Sequence, residues 1–443
     1  MRFLLTSSLI FLLSSLCFSQ SNYCIPNRFG EATYFDTSEI AVQQNVVYGN
    51  AYNQYTKVNE DLKMDIYYPK MEVDLLPKRP FILYIHGGGF LEGDKNSGNY
   101  KCTQWAQRGY VTASVNYRMG WACATTAAAA LCWCNDGAGL KIAAYEAVQD
   151  ARASLRFLNT HAAEYGIDSD YFFISGESAG SITALLTAYI NQTEADSFDV
   201  GLHSVLGPID SSGNVDPQGY HLRGIINSCG ALTDTSIIGA EEVLPTISFH
   251  DEKDCLVPYK KNLLLNCTGT CYSFFGAMGS SLVHQKTQSL GVCSKLYEVA
   301  GSGSHCSFPQ DQLVEKSSCF LRGILCNDCQ SGFSINPYDT VPCQQDLATT
   351  VTEVSSETGI ASLNIYPNPS QGESVLLVFE LECSQNISIS FVDILGREVW
   401  RRNSLLEKGR HTIPVDVHHL SFGVNYCVLR TASGSRSTIV VRN

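Results

Sequence analysis

Basic residues are scarce in this chain: 30 Lys and Arg stand against 43 Asp and Glu, a formal net charge of −13 over 443 residues. A phosphate-backbone partner needs clustered positive charge, so nucleic-acid binding is excluded as a main task. Long apolar runs are also missing. Beyond the first 20 residues none is long enough to cross a bilayer, so no integral membrane segment is expected after that point. Zinc-type spacing is wanting as well. Cys319, Cys326, Cys329 and Cys343 contain one C-x-x-C, but the other intervals fit no common zinc pattern.

What is present begins with an export signal. Met1-Arg2 leads into an apolar stretch from Phe3 to Phe18, broken by serines and ending in small or polar residues, as in a secretory signal peptide. Export predicts an oxidising compartment, where the 18 cysteines read as disulfide partners rather than metal ligands. Cys17 leaves with the signal, so the remaining number is odd and one unpaired thiol is expected. With 44% hydrophobic residues the chain can bury a large core, and its length suggests more than one domain.

The rest of the chain is organised around Tyr171-Phe172-Phe173-Ile174-Ser175-Gly176-Glu177-Ser178-Ala179-Gly180-Ser181. An apolar strand pattern runs into Gly-x-Ser-x-Gly, and helix-compatible spacing follows. That is the strand, turn and helix context in which a serine hydroxyl stands exposed as a nucleophile. By itself the pentapeptide could equally be a chance surface turn, so it needs partners.

Upstream, Leu62–Pro69 alternates as a half-buried strand, and Phe81–Ile85 is continuously apolar, as in a strand buried on both faces. The latter ends in His86-Gly87-Gly88-Gly89, and three successive glycines are costly unless the backbone itself has a task. Val111–Arg118 gives another strand. Residues 121–134, with Trp121, Cys123, Cys132, Trp133 and Cys134, form an excursion that either lines a substrate cleft or is a loop held by disulfides. Ile142–Leu158 repeats at helical intervals. Strands at 224–230, 245–250 and 294–299 complete a doubly wound α/β sheet. Residues 344–360 read as a linker, and 361–443 as a small all-β sandwich of short alternating segments. The expected division is therefore a signal peptide at 1–20, a catalytic domain at 21–343, the linker, and the sandwich.

An acyl-transfer site needs a nucleophile, a base, a group that orients the base, and donors for the oxyanion. Ser178 is the candidate nucleophile. His305 is the preferred base, because a strand delivers it into the Gly/Ser-rich loop Ala300-Gly301-Ser302-Gly303-Ser304. His284, on a helical pattern, and His86, beside the glycines, suit packing and turn-bracing roles better. Asp254 is the preferred acid over Asp251 and Glu252, which lie nearer the strand end and are expected to face solvent or cap the turn. Backbone N–H groups of Gly88, Gly89 and Ala179 would form the oxyanion hole. Since Asp and His must meet, their neighbours Cys255 and Cys306 are expected to form a disulfide, within the Cα separation of about 4.4–6.8 Å that such a bond requires.

With these residues in hand, the chain resembles α/β-hydrolase esterases of the hormone-sensitive-lipase-like and carboxylesterase groups over roughly residues 45–310. His86-Gly87-Gly88-Gly89 is similar to their oxyanion motif, Gly176-Glu177-Ser178-Ala179-Gly180 to their nucleophile elbow, and Asn116-Tyr117-Arg118 to the strand end after the glycine loop. There are departures. The lipase-like group usually carries Asp at the position of Glu177, and the larger carboxylesterases generally use Glu as the triad acid. Cysteines beside triad members also resemble the feruloyl-esterase and tannase group, which has a cysteine where Glu177 stands.

The tail is similar to the C-terminal sorting domain of the type IX secretion system, through Asn364–Pro369, Val392–Val399 and Leu420–Tyr426. The resemblance implies a Bacteroidetes-type bacterium, the secretion machinery as a partner, and a secreted or surface-attached product. An accessory carbohydrate-binding sandwich is the alternative. Together these readings imply a serine carboxylesterase that needs no metal or organic cofactor and acts on a small-molecule or polymer-borne ester. An exopeptidase or amidase with the same triad, or a non-catalytic esterase-like binding module, are the competing readings.

Overall fold

A computed structural model describes residues 23–335, apart from 26, 75, 122–136 and 267–274, and residues 360–442, apart from 367, 369, 371–373, 382, 394–396 and 432–434. The signal at 1–20, the cysteine-rich stretch beyond Trp121 and the linker up to 359 lie outside the described residues. The chain divides into two compact units, residues 1–344 and 345–443.

The first unit is built on strands β1 (Ile40–Tyr52), β2 (Asn59–Pro69), β3 (Arg79–Ile85), β4 (Val111–Val115), β5 (Ile167–Glu177), β6 (Leu222–Ser228), β7 (Ala231–Leu232), β8 (Thr246–Asp251), β9 (Lys261–Leu263), β10 (Gly276–Gly279), β11 (Ser294–Val299) and β12 (Gly332–Ile335). Its helices are α1 (Asn99–Gln107), α2 (Gly137–Thr160), α3 (Ala162–Tyr165), α4 (Ala179–Tyr189), α5 (Gln192–Phe198), α6 (Val200–Leu206), α7 (Ser280–Ser289) and α8 (Gln310–Leu325). The main sheet has nine strands in the order β1-β2-β4-β3-β5-β6-β8-β11-β12. It is parallel from β4 to β12, with β1 and β2 antiparallel at one edge. β7, β10 and β9 form a small antiparallel sheet.

Strand alternation divides the core in two. Phe81, Leu83 and Ile85 of β3 join Ala147, Ala151 and Leu155 of α2 and Leu185 of α4 on one face. Ile82 and Tyr84 join Trp105 of α1 and Leu321 and Leu325 of α8 on the other. Because every residue of β3 is buried, the strand reads as an unbroken apolar run rather than an alternating one. Sequence periodicity finds β2 to β6, β8, β11, α2 and α4. It does not find β1, whose Gln43, Gln44 and Asn45 are exposed and whose register shifts twice against β2. The edge strand β12 and the helices α1 and α8 are also additions of the structure.

The second unit holds β13 (Ile360–Tyr366), β14 (Ser374–Leu381), β15 (Gln385–Val392), β16 (Glu398–Leu406), β17 (Gly409–Asp416), β18 (Gly423–Arg430) and β19 (Ser435–Arg442). They form two antiparallel sheets, β13-β14-β17 and β16-β15-β18-β19. Leu377 and Phe379 from one sheet and Ile389, Phe391 and Leu429 from the other share its core.

Cysteine pairing follows the oxidising expectation in part. Cys24–Cys326, Cys229–Cys306 and Cys293–Cys329 are disulfides, and Cys319 is disulfide-bonded as well, so Cys319, Cys326 and Cys329, three of the four cysteines around the lone C-x-x-C, are committed to sulfur partners. Four thiols stay free among the described residues, Cys102, Cys255, Cys383 and Cys427, where the odd number suggested one. Cys102 and Cys427 are packed into cores as small apolar groups, with burial raising both thiols to about 12.

Candidate active site

Ser178 follows the last residue of β5 and caps α4, with φ 54° and ψ −122°. An L-residue rarely adopts that backbone, and it is held here by the Ser178 N–H donating to Ser228 O at 2.9 Å beside the end of β6. The elbow presses on the loop after β3. A Cβ on Gly87 would lie 3.1 Å from that of Ser178, and one on Gly88, at φ +113°, would lie 1.9 Å from Glu92 O. Only a glycine run can pass between Ser178 and its own following turn. The Gly88 carbonyl accepts from Leu91 N and Glu92 N, and the Gly89 carbonyl accepts from Trp121 Nε1 at 2.9 Å, which fixes both peptide planes. Ala179, first in α4, has an N–H with no carbonyl a helical turn behind it. His86 braces this loop, with Nδ1 2.7 Å from Gly87 O and its ring stacked on Tyr117. Burial lowers its pKa.

The loop after β11 brings His305 over the serine. Ser178 Oγ lies 2.7 Å from His305 Nε2, and His305 Nδ1 lies 2.6 Å from Asp254 Oδ2. Hydroxyl, imidazole and carboxylate thus stand in one hydrogen-bonded line. Asp254 is buried, and its Oδ1 accepts from Leu256 N at 2.9 Å and Val257 N at 3.1 Å. Burial pushes its pKa up, but hydrogen bonds from His250 and His305 outweigh this and lower it to about 2. A carboxylate kept ionised suits a partner for imidazolium. His284 is elsewhere, buried in α7 with Nδ1 2.8 Å from Ser294 Oγ.

Two sequence expectations need correction. Asp251 does not face solvent. It is buried at the end of β8, accepting from Ser307 N at 2.9 Å and from the Ser307 hydroxyl, while Glu252 accepts from Gly301 N at 2.7 Å. Both carboxylates therefore hold the loop that carries His305.

The Cys255–Cys306 disulfide is absent: Cys306 pairs with Cys229, at a Cα separation of 5.4 Å, and Cys255 keeps a free thiol. Asp254 and His305 meet through their side chains, so the flanking backbones need not converge. Asp254 closes a tight turn onto Leu256 N and Val257 N, and Cys306 turns instead toward the end of β6. Cys229 directly follows Ser228, whose carbonyl holds the elbow, so the disulfide ties the His305 loop to the support of Ser178. Cys306→Ser is expected to lower kcat about tenfold with little change in KM, since loosened orientation acts on the chemical step. Steady-state kinetics on the folded variant would measure it, and wild-type kcat would show that the bridge does not position His305.

Two further contributors, Lys101 and His250, were not visible in the sequence reading. Glu177 Oε2 accepts from Lys101 Nζ of α1 at 2.8 Å, and that buried lysine also donates to Tyr84 OH at 3.3 Å. His250, inside β8, has Nε2 2.9 Å from Val257 O and 3.4 Å from Asp254 Oδ2. Its one sequence signal is its place four residues before the acid. Among the described residues no helix is long and apolar enough to cross a membrane.

Comparison with known proteins gives two family matches. Residues 19–199 match the carboxylesterase family and residues 364–442 a secretion system C-terminal sorting domain. The first match includes the glycine loop and the serine elbow but ends before Asp254 and His305. A probable isoprenylcysteine alpha-carbonyl methylesterase of Arabidopsis thaliana is 27% identical over 146 residues, 33% of this chain and 24% of that protein. The esterase LipI of Mycobacterium tuberculosis is 29% identical over 124 residues, 28% of this chain and 32% of that protein. The chain thus spans about a quarter to a third of the length of these curated relatives.

Among solved structures, Thermogutta terrifontis esterase 2 with propionate bound gives a TM-score of 0.43 at 18% identity, covering 65% of this chain and 96% of that one. Esterase B of Lactobacillus rhamnosis gives 0.39 at 17%, covering 66% and 87%. Strands β1 to β5, the glycine loop and the elbow lie within the first family match, the later strands of the nine-stranded sheet follow it, and the C-terminal sheets coincide with the second apart from the first residues of β13. The chain therefore carries a carboxylesterase-family α/β-hydrolase domain and a type IX secretion C-terminal sorting domain that directs it to the cell surface or beyond.

Proposed function

We propose that this protein is a secreted serine carboxylesterase that hydrolyses carboxylic esters through an acyl-enzyme. The observation that carries the reading is the unbroken line from Ser178 Oγ through His305 to Asp254. In this reading Ser178 attacks the ester carbonyl and His305 takes its proton, then returns it to the departing alcohol. Asp254 orients the ring and balances the imidazolium. Backbone N–H groups of Gly88, Gly89 and Ala179 hold the oxyanion, each worth about 3 kcal/mol of transition-state stabilisation. Water then cleaves the acyl-enzyme by the same route in reverse. Residues 1–20 act as the signal peptide, 21–343 as the catalytic domain, 344–360 as the linker, and 361–443 engage the secretion machinery.

A cavity beside the elbow supports an aliphatic acyl group. Its walls include Phe90, which follows Gly89, and Ile182, whose N–H donates to Ser178 O, with Val148, Leu186, Leu202 and Leu232 further along. Its polar lining is sparse: Lys141 pairs with Asp199 at 3.1 Å, Tyr145 OH donates to Gly207 O at 2.9 Å, Glu194 accepts from Asn191 N at 2.8 Å, and Thr233 is the fourth polar residue. A hydrocarbon chain loses nothing on entering such a space, whereas a phenol or sugar hydroxyl exchanges water for few partners.

The expected result on a panel of p-nitrophenyl esters is that kcat/KM rises from acetate through butyrate by up to about fourfold per methylene. Feruloyl esters and aminoacyl anilides should be poor substrates. Faster cleavage of the anilides would instead establish an exopeptidase or amidase.

A further inference from the structure

Behind the catalytic line lies a second one, made of side chains that are all fully or almost fully buried. It starts at Ser181 in the first turn of α4 and crosses to Asn227 at the end of β6. It then passes to Ser280, the first residue of α7, and to His250 of β8. Ser181 Oγ donates to Asn227 Oδ1 at 2.6 Å, Asn227 Nδ2 donates to Ser280 Oγ at 2.9 Å and to Ser248 Oγ at 3.0 Å, and Ser280 Oγ lies 2.6 Å from His250 Nδ1.

Two backbone groups that can act in only one way set the direction of every bond. Gly230 N–H can only donate, and it does so to Asn227 Oδ1 at 3.0 Å, which fixes which end of the amide is oxygen. Asn227 Nδ2 is then the donor to Ser280, whose own proton goes to His250 Nδ1 rather than to the more distant Gly230 O at 3.4 Å. At the far end Val257 C=O can only accept, so His250 carries its proton on Nε2 and donates it there at 2.9 Å.

This matters because Val257 belongs to the turn that holds the acid. Its N–H donates to Asp254 Oδ1 at 3.1 Å while its carbonyl is held by His250, and His250 Nε2 also stands 3.4 Å from Asp254 Oδ2, the oxygen bonded to His305. We propose that His250 is a positioning residue for Asp254, with its tautomer set by the chain Ser181, Asn227 and Ser280. The helix that carries the nucleophile and the turn that carries the acid are thereby locked to one another through the interior. The inference rests on the esterase reading of Ser178, Asp254 and His305.

His250→Phe keeps an aromatic ring in the space and removes both nitrogens. It is expected to lower kcat for p-nitrophenyl butyrate about tenfold to a hundredfold while KM stays within about twofold, the scale of a lost hydrogen bond to a charged group. His250→Gln, which can place an N–H near the former Nε2, is expected to recover most of that loss. In an Asp254→Asn background the His250→Phe change should add almost no further loss, because its effect runs through the carboxylate. Losses that multiply in the double variant, or equal impairment by Phe and Gln, would overturn the proposal.

If His250→Phe does not fold, Ser280→Ala against Ser280→Thr tests the same chain. Alanine should lower kcat and threonine restore it, and wild-type kcat in Ser280→Ala would count against the proposal. The two readings are separable. Ester hydrolysis that survives Ser178→Ala removes the serine-triad reading, whereas Ser178-dependent hydrolysis with wild-type kcat in His250→Phe removes only the positioning role.

Discussion

Alanine at Ser178 is expected to lower kcat for short acyl esters by about a millionfold, the scale on which removing a triad nucleophile acts. The residue left behind would still bind substrate, because the apolar cavity and the glycine loop are formed by other side chains and by backbone. KM should therefore change little. The fold should hold as well, since the Ser178 backbone N–H, rather than its hydroxyl, makes the 2.9 Å bond to Ser228 O that supports the elbow. Residual activity would reflect binding and oxyanion stabilisation alone. Measuring it requires protein free of contaminating esterase, with stopped assays over hours. A loss of only a few fold would show that another group attacks the ester.

Asp254→Asn is expected to cost about ten thousandfold in kcat at neutral pH. The amide has nearly the same shape but can offer its NH2 to His305 Nδ1, which would then have to accept, leaving the proton on the nitrogen that should receive one from Ser178. The effect is electrostatic as much as geometric, because the carboxyl is held ionised at about 2.

The sign of the accompanying stability effect follows from that depressed value. A carboxyl whose folded pKa lies below its ordinary 3.8 contributes stability that is present above 3.8 and is lost as pH falls through about 2. Urea unfolding at stepped pH should therefore show the gap between wild type and Asp254→Asn closing across that window. A kcat within tenfold of wild type would mean that another carboxylate orients His305. Asp251 and Glu252 are poor substitutes, since both are occupied in holding the His305 loop.

The elbow was legible because its chemistry is local: a buried strand, two glycines and a helix lie within eleven residues. His305 could be preferred among the histidines because a strand visibly delivers it into a loop. Asp254 was separable from its neighbours only by position, and the reason given for setting Asp251 aside does not hold, because the His305 loop folds back over the strand end and buries it. The disulfide was misassigned for a related reason. Adjacency in sequence to two residues in contact says nothing about which way each backbone turns, and Cys306 turns toward Cys229.

His250 and Lys101 were illegible on different grounds. A histidine in the apolar run Thr246–Asp251 reads as part of a strand, and the bonds that give it a direction come from Asn227, Ser280 and Val257, on three other segments. Lys101 sits in a helix of weak periodicity, and nothing near it in sequence announces Glu177 as its partner. Glu177 is set apart by that ion pair, in which a buried lysine faces a carboxylate whose side chain is one-third exposed. The pair places a fixed charge one residue from Ser178 and anchors α1 to the elbow.

The central claim is that Ser178 is an activated nucleophile, and covalent labelling tests it most directly. Intact-mass and peptide-mapping spectrometry after brief exposure to a fluorophosphonate should show one stoichiometric adduct on the peptide containing Ser178, absent in the Ser178→Ala and His305→Ala variants. Folded protein that takes up no label, or takes it up on another residue, would contradict the account.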